Sequence, residues 1–167
     1  MDNKEELFPV VDDEGNVIGK ITRGHAHDGC KILHPVVHLH LFNSQGELYL
    51  QKRPEWKDIQ PGKWDTAVGG HVDYGETIEE ALRREVREEL GVTDFTPRFL
   101  CHYNFEAQKE YEQVWAYTTI YDGPVMPSRE ELSGGRFWTM MEILTAMGKG
   151  LLTPNFEQEF QRFFLRD

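Results

Sequence analysis

The stretch that decides the fold lies at residues 69–92 and reads GGHVDYGETIEEALRREVREELGV. The hydroxyl group of Thr77 can cap a helix, and Glu80, three residues later, completes the pattern of a capping box. Gly91 supplies a stop about four turns further along the chain. These signals predict one well-bounded helix that begins at Thr77 and ends at Gly91.

The acidic residues of this predicted helix lie in unusual positions. An advance of about 100° per residue from Ile78 puts five apolar residues on one stripe that we expect to be buried: Ile78, Ala81, Leu82, Val86 and Leu90. Glu85 and Glu89 fall inside that stripe and Glu88 borders it. The residues predicted to point outward are Glu80, Arg83, Arg84 and Arg87. Carboxylates gathered beside a core repel one another and lose hydration, so they need a compensating charge. Oxygen ligands suit Mg²⁺ or Mn²⁺, and a solvated charged face is the alternative interpretation.

Composition limits the class of protein around this helix. The chain has 167 residues and 39% apolar residues, which is typical of one globular domain over residues 1–167. The formal charge of −11 argues against binding of a nucleic-acid polymer. Cys30 and Cys101 are too few for a disulfide framework. The sequence contains no membrane-length apolar run and no signal-like start, so we expect a cytoplasmic protein without membrane contact.

The remaining segments predict short strands and a second helix. Residues 12–16 and 43–46 have turn sequences, each flanked by two strand-like runs, and so predict two hairpins. Predicted strands cover residues 8–11, 17–21, 36–42, 47–52, 98–105, 111–121 and 136–139. From about Asn155, four phenylalanines recur at helical spacing, at positions 156, 160, 163 and 164, and predict a helix that packs on the sheet. Strands before and after two separate helices predict an α+β fold.

Residues 70–92 also resemble the Nudix box, G-x5-E-x7-R-E-U-x-E-E-x-G-U, in which U is an aliphatic residue. Nine positions match without a gap: Gly70, Glu76, Arg84, Glu85, Val86, Glu88, Glu89, Gly91 and Val92. The resemblance implies the Nudix α/β/α sandwich, with a mixed β-sheet between helices. It also implies a metal-dependent hydrolase that attacks a small-molecule diphosphate, such as a nucleoside diphosphate derivative, with water.

The resemblance further implies roles for the box residues. The three acids Glu85, Glu88 and Glu89 would bind Mg²⁺ or Mn²⁺. Arg84 would pair with a box acid and, with Glu76, support the box; Gly91 has a structural role and Gly70 borders the substrate. We place the water-activating base at Glu88 or Glu89, and the alternative outside the box is Glu112.

A wider likeness, over roughly residues 23–112, is to the branch of the family similar to isopentenyl-diphosphate isomerase. It implies a second site for a transition metal such as Mn²⁺, Zn²⁺ or Fe²⁺, formed by His27, His34, His71, Glu110 and Glu112. Hydrogen-bonded histidines without a metal are the alternative.

The same likeness matches Arg53 and Lys57 to residues that grip the substrate diphosphate, although an exposed basic turn explains them equally well. Gly69 stands where the isomerase has its catalytic cysteine, which favours hydrolysis over isomerisation. An isomerase with another acid and a nucleotide-sensing module are the alternatives, and a homodimer is compatible with the sequence.

Overall fold

The computed structural model describes residues 3–56, 60–128 and 134–165. In chain order its strands are β1 (Leu7–Val11), β2 (Val17–Thr22), β3 (Leu33–Phe42), β4 (Leu48–Lys52), β5 (Trp64–Thr66), β6 (Val68–His71), β7 (Arg98–Glu106), β8 (Tyr111–Ile120) and β9 (Gly135–Trp138). Its helices are α1 (Arg23–Ala26), α2 (Ile78–Leu90), α3 (Met140–Ala146) and α4 (Pro154–Phe164). None of these helices is long and apolar enough to cross a membrane.

The strands form a small sheet and a large one. Strands β1 and β2 pair with each other antiparallel, with Phe8 opposite Ile21. The large sheet has the order β5-β4-β3-β8-β7, in which β6 pairs with β3 and β9 with β4. This mixed sheet flanked by helices is the predicted α+β fold.

Contacts divide the chain into two compact units. The first contains Met1–His38, Gly69–Glu85 and Phe99–Tyr117, and the second contains Leu39–Val68, Val86–Arg98 and Thr118–Asp167. A small core of the first unit is built on Phe8, Ile21 and Ala26. The larger core of the second unit brings Leu48 and Leu50 of β4 together with Trp138, Ile143, Leu152, Phe156 and Phe160.

The turn between β1 and β2 is held by hydrogen bonds to a side chain of β8. The side-chain amide of Gln113 donates hydrogen bonds to the carbonyl oxygens of Asp12 (3.0 Å) and Asp13 (3.1 Å). Trp115 donates from its indole nitrogen to the Gln113 side-chain oxygen at 3.0 Å. A Cβ atom at Gly15 would lie 2.7 Å from the Trp115 ring, so the turn packs closely on that ring. These contacts fix the hairpin that carries Phe8.

Helix α2 begins where the capping signal predicts. The Thr77 amide donates to Glu80 Oε1 at 2.9 Å, and the Glu80 amide donates to Thr77 Oγ1 at 3.1 Å, which is a reciprocal capping box. Within the predicted apolar stripe, Ala81, Leu82, Val86 and Leu90 are fully buried, and Ile78 in the first turn is half-buried. The predicted start and the predicted buried face are therefore confirmed.

The end of α2 is held by two further backbone bonds. Gly91 has a φ of 66°, a left-handed conformation that glycine adopts without steric cost. The Leu90 carbonyl accepts from the amide of Met126, and the Glu89 carbonyl accepts from the amide of Ser128, both at 2.8 Å. Carbonyl groups that a helix end leaves without partners are thus satisfied by the segment that follows β8.

The sequence signals missed four short elements. The predicted strands all appear, with ends shifted by a few residues, but β5, β6, α1 and α3 were not predicted. Helix α4 begins at Pro154, where the Thr153 hydroxyl accepts from the Phe156 amide. Of the four phenylalanines on the predicted packing face, Phe156 and Phe160 are fully buried, and Phe163 and Phe164 are half-buried.

Candidate functional site

Three imidazoles and one carboxylate gather in the first unit. His27 caps α1, His34 lies in β3, His71 ends β6 and Glu110 precedes β8. One donor atom from each of these four residues lies within 4.8 Å of all the others. His27 Nε2 is 3.2 Å from His71 Nε2 and 3.1 Å from Glu110 Oε1. Side chains that are up to 83 residues apart in the sequence therefore share one small volume.

Glu112 lies at the edge of this cluster. Its Oε2 atom is 3.8 Å from His71 Nε2, which is too long for a hydrogen bond but places the carboxylate beside the ring. The structure therefore brings together all five residues that the sequence matched to a transition-metal site.

The buried ring of His34 shows whether these residues suit a metal. Its Nδ1 atom is 3.0 Å from the carbonyl oxygen of Ile32, and a carbonyl can only accept, so Nδ1 carries the proton in the neutral ring. Its Nε2 atom then presents a lone pair. That atom is buried and has no hydrogen-bond partner among the residues that the structure describes. An imidazole that donates to a carbonyl through one nitrogen and offers the other is the usual arrangement of a metal-ligating histidine.

Burial keeps two of these imidazoles neutral. It lowers the pKa of His34 and lowers the pKa of His71 well below the usual 6.5, and the positive charge of nearby Arg23 acts in the same direction on both. A neutral imidazole is the form that ligates a metal, so neither ring has to lose a proton near neutral pH.

Arg84 organises the acidic residues of the box. Its Nε and Nη2 atoms donate to the two carboxylate oxygens of Glu76 at 2.7 and 2.9 Å, and its Nη1 atom donates to Glu85 Oε1 at 2.7 Å. Nη2 also donates to the His71 carbonyl at 3.0 Å. The Arg84 side chain is only 19% exposed, so the prediction that it points outward is wrong. The guanidinium group turns inward because two acids and a carbonyl oxygen satisfy it there.

This network sets the ionisation of Glu76. Burial opposes its charge, but the hydrogen bonds from Arg84 and from the Asp73 amide outweigh burial, so the pKa of Glu76 lies below its usual value. Asp73, whose carboxylate is 3.5 Å from Arg84 Nη2, behaves in the opposite way. Burial, which Arg84 offsets only in part, raises its pKa from 3.8 to about 6. Nothing in the sequence singles out Asp73, because it occupies a variable position of the box pattern.

Gly70 lies directly against the first box acid. A Cβ atom at this position would overlap the carboxyl group of Glu85. Any side chain at position 70 would therefore push Glu85 away from its place beside Arg84. This packing gives Gly70 a role in positioning the acid, in addition to the substrate contact that the resemblance implies.

The two later box acids differ in burial. Glu89 is 4% exposed, and its Oε1 atom is 3.4 Å from the side-chain nitrogen of Gln51. Glu88 is exposed, as its place at the border of the stripe allows.

Of the two residues that the sequence matches to diphosphate binding, Arg53 has its Nη1 atom 3.6 Å from Asp65 Oδ2. Lys57 falls outside the described residues.

Comparisons with known proteins agree on one family. The sequence model of the NUDIX domain matches residues 32–158. An uncharacterized Nudix hydrolase of Pseudomonas aeruginosa is 34% identical over 134 residues, 79% of this chain and 78% of the relative. An isopentenyl-diphosphate delta-isomerase of Photorhabdus laumondii is 28% identical over 93% of both chains. A crystal structure from Deinococcus radiodurans superposes with a TM-score of 0.81 and 28% identity, over 95% of this chain and 99% of the other.

Proposed function

Because this chain belongs to the Nudix hydrolase family, we propose that it hydrolyses a nucleoside diphosphate derivative or another organic diphosphate with the help of divalent metal ions. The observation that carries the proposal is the arrangement of the complete box. Arg84 holds Glu85 and Glu76 in fixed positions, and Glu89 is buried on the same helix. We also propose that residues 1–167 form a single domain. The cytoplasmic location and the homodimer stay predictions.

The residues that would hold Mg²⁺ or Mn²⁺ are Glu85, Glu88 and Glu89. Carboxylate oxygens are the ligands that these ions prefer, and a bound cation would compensate the hydration that a carboxylate as buried as that of Glu89 loses. When bound, the ions would neutralise the substrate diphosphate and make the phosphorus more electrophilic.

Other residues would orient the reactants. Arg84 holds one oxygen of Glu85, which fixes the rotamer of that carboxylate. Arg53 would bind the diphosphate through its planar guanidinium group, and Lys57 would add a point charge. Glu88 or Glu89, or else Glu112, would take the proton from the attacking water.

A second ion would bind at the histidine cluster. Three nitrogen donors with Glu110 and Glu112 suit Mn²⁺, Zn²⁺ or Fe²⁺ better than Mg²⁺. The support is the short spacing of the donor atoms and the lone pair that His34 presents to them. This site has no residue in common with the acids of α2.

Isomerisation of an isopentenyl-type diphosphate is the second candidate function. Two observations favour it, namely the 28% identity to an isomerase over nearly the whole chain and the histidine cluster itself. Gly69 opposes it, because a glycine at the position of the isomerase cysteine offers no group to move a proton. The backbone at Gly69 does have room for a Cβ atom, which among the described residues would make ordinary van der Waals contact with the His38 ring at 3.5 Å.

The test is a product screen on the purified full-length protein. Substrates are nucleoside diphosphate sugars, dinucleoside polyphosphates, coenzyme A, NADH and isopentenyl diphosphate, each with Mg²⁺ and with Mn²⁺. We expect cleavage of at least one diphosphate linkage, and its loss in Glu89→Gln. Double-bond isomerisation without cleavage would replace the proposal with the second candidate.

The same assay identifies the base. Glutamine retains the size of glutamate and removes the basic oxygen, so we compare Glu88→Gln, Glu89→Gln and Glu112→Gln. Loss of the base should lower kcat by a factor on the order of 10²–10⁴ with little change in KM. A larger loss in Glu112→Gln than in the two box variants would move the base out of α2.

A further inference from the structure

The β1–β2 hairpin lies outside residues 32–158, the part that matches the domain family, yet it contributes an aromatic ring to the histidine cluster. Phe8 of β1 is fully buried. Its ring stacks on His71 with the centroids 4.5 Å apart and the planes 1° from parallel. It also lies 5.8 Å from the His34 ring at 14°. Its centroid is also 6.3 Å from that of the tilted His27 ring, at 53°. Phe8 therefore has ring contacts with all three imidazoles and stacks on two of them, His71 and His34.

The Phe8 ring is itself held from several sides. The guanidinium carbon of Arg23 lies 4.9 Å from its centroid, a cation–π distance. Arg23 donates from Nε and Nη2 to one carboxylate oxygen of Glu6, at 3.0 and 2.8 Å. The backbone of β1 is fixed where the Tyr74 amide donates to the Leu7 carbonyl at 2.9 Å. A ring held in this way cannot turn freely.

A fixed neighbour matters because an imidazole can rotate about its χ2 angle. A metal ligand has to aim one nitrogen at the ion, and groups behind the ligands usually hold that orientation. The Ile32 carbonyl orients His34. Among the ring contacts of His71 in the described part of the chain, the contact with Phe8 is the closest.

We infer that Phe8 is a positioning residue for the metal centre, because it fixes the ring planes of His71 and His34 so that their nitrogens face a common ion. The inference depends on the histidine site proposed above. It assigns part of the support of that site to a hairpin that lies outside residues 32–158, the segment that the family model matches.

The test uses Co²⁺, whose visible absorption reports the number and geometry of its ligands, in the full-length protein. Phe8→Leu retains apolar volume and removes the stacked ring. Ile21→Ala is the matched control, because Ile21 lies opposite Phe8 in the same hairpin and the same core. His71→Ala identifies the absorption that belongs to the histidine site, and thermal unfolding of each variant is measured in parallel.

We expect Phe8→Leu to weaken Co²⁺ binding about 10–100-fold, as loss of a supporting group does, and to change the visible spectrum at saturation. Ile21→Ala should lower the unfolding temperature and leave affinity and spectrum as in the wild type. Wild-type affinity and spectrum in Phe8→Leu, or equal weakening in both variants, would overturn the inference alone. A wild-type protein without absorption that depends on His71 would instead overturn the metal site itself.

Discussion

Replacement of Arg84 tests the central network of the box. Arg84→Ala removes the shared partner of Glu76 and Glu85, whose carboxylates are 21% and 15% exposed. Breaking a buried ion pair on one side costs about 3–5 kcal/mol, and the partial exposure points to the lower end. A cost of about 3 kcal/mol corresponds to a decrease of about 6–12 °C in the unfolding temperature of a domain of this size.

Arg84→Lys separates charge from geometry. Lysine retains the positive charge but loses the planar fork that donates to two carboxylates at once, so its unfolding temperature should lie between those of wild type and Arg84→Ala. Because Glu85 would no longer be held in one rotamer, activity should still decrease about 10–100-fold, as for loss of a group that orients a metal ligand.

The assay is thermal and urea unfolding followed by circular dichroism, with initial rates on the best substrate of the screen. Arg83→Ala is the control, because Arg83 is the neighbouring residue of the same helix and its side chain is 45% exposed. Its ion pair with Glu79 is long, at 3.8 Å. Its loss should cost at most about 0.5 kcal/mol. If Arg84→Ala costs no more than Arg83→Ala, the network does not stabilise the box.

Three other substitutions follow from the structure. Asp73→Asn should stabilise the protein above pH 6 and make little difference to its stability below pH 3.8. The reason is that the pKa of Asp73 is raised to about 6, so its ionisation between these pH values destabilises the fold. Urea unfolding above pH 6 and below pH 3.8 checks this, and an increase in stability that does not depend on pH would refute it. Gly70→Ala should weaken Mg²⁺ binding measured by calorimetry, because the added Cβ would overlap the carboxyl group of Glu85. Gly69→Ala should bind Mg²⁺ as the wild type does, because its Cβ makes ordinary van der Waals contact, and equal binding by the two variants would contradict this. Glu159→Met should lower the free energy of unfolding by about 1–3 kcal/mol, because the buried His40 Nε2 loses its partner Glu159 Oε1 at 2.8 Å, and Glu159→Gln should lower it less. A smaller loss for Glu159→Met than for Glu159→Gln, measured by urea unfolding, would disprove this.

The sequence predicted α2 well because its signals are local. The capping pair Thr77 and Glu80, the stripe at helical spacing and the stop at Gly91 all act within a few residues of one another. Strand β6 was missed for the opposite reason. Its sequence contains Gly69 and Gly70 and shows no apolar alternation, so its extended shape depends on pairing with β3, which no local pattern reveals.

The side-chain network was predictable only in part. A helical wheel gives the direction in which a residue leaves the helix but not the path of a long side chain. The guanidinium group of Arg84 turns inward to Glu76, which precedes the helix. Phe8 lies 63 residues before His71, and nothing in its own neighbourhood indicates that its ring packs on an imidazole. The spacing of the histidines is similar to that in isopentenyl-diphosphate isomerase, which made them candidate ligands in the sequence. That their side chains lie close together is visible only in the folded chain.

The backbone bonds at the end of α2 affect motion as well as stability. The last turn of a helix normally frays, and its amides exchange hydrogen with solvent faster than those of the middle. Here the carbonyls of Glu89 and Leu90 are tied to Ser128 and Met126, so fraying has to break contacts with a distant segment. The turn that carries Glu88 and Glu89 should therefore exchange hydrogen as slowly as the centre of the helix, and its carboxylates should keep their positions between one catalytic turnover and the next.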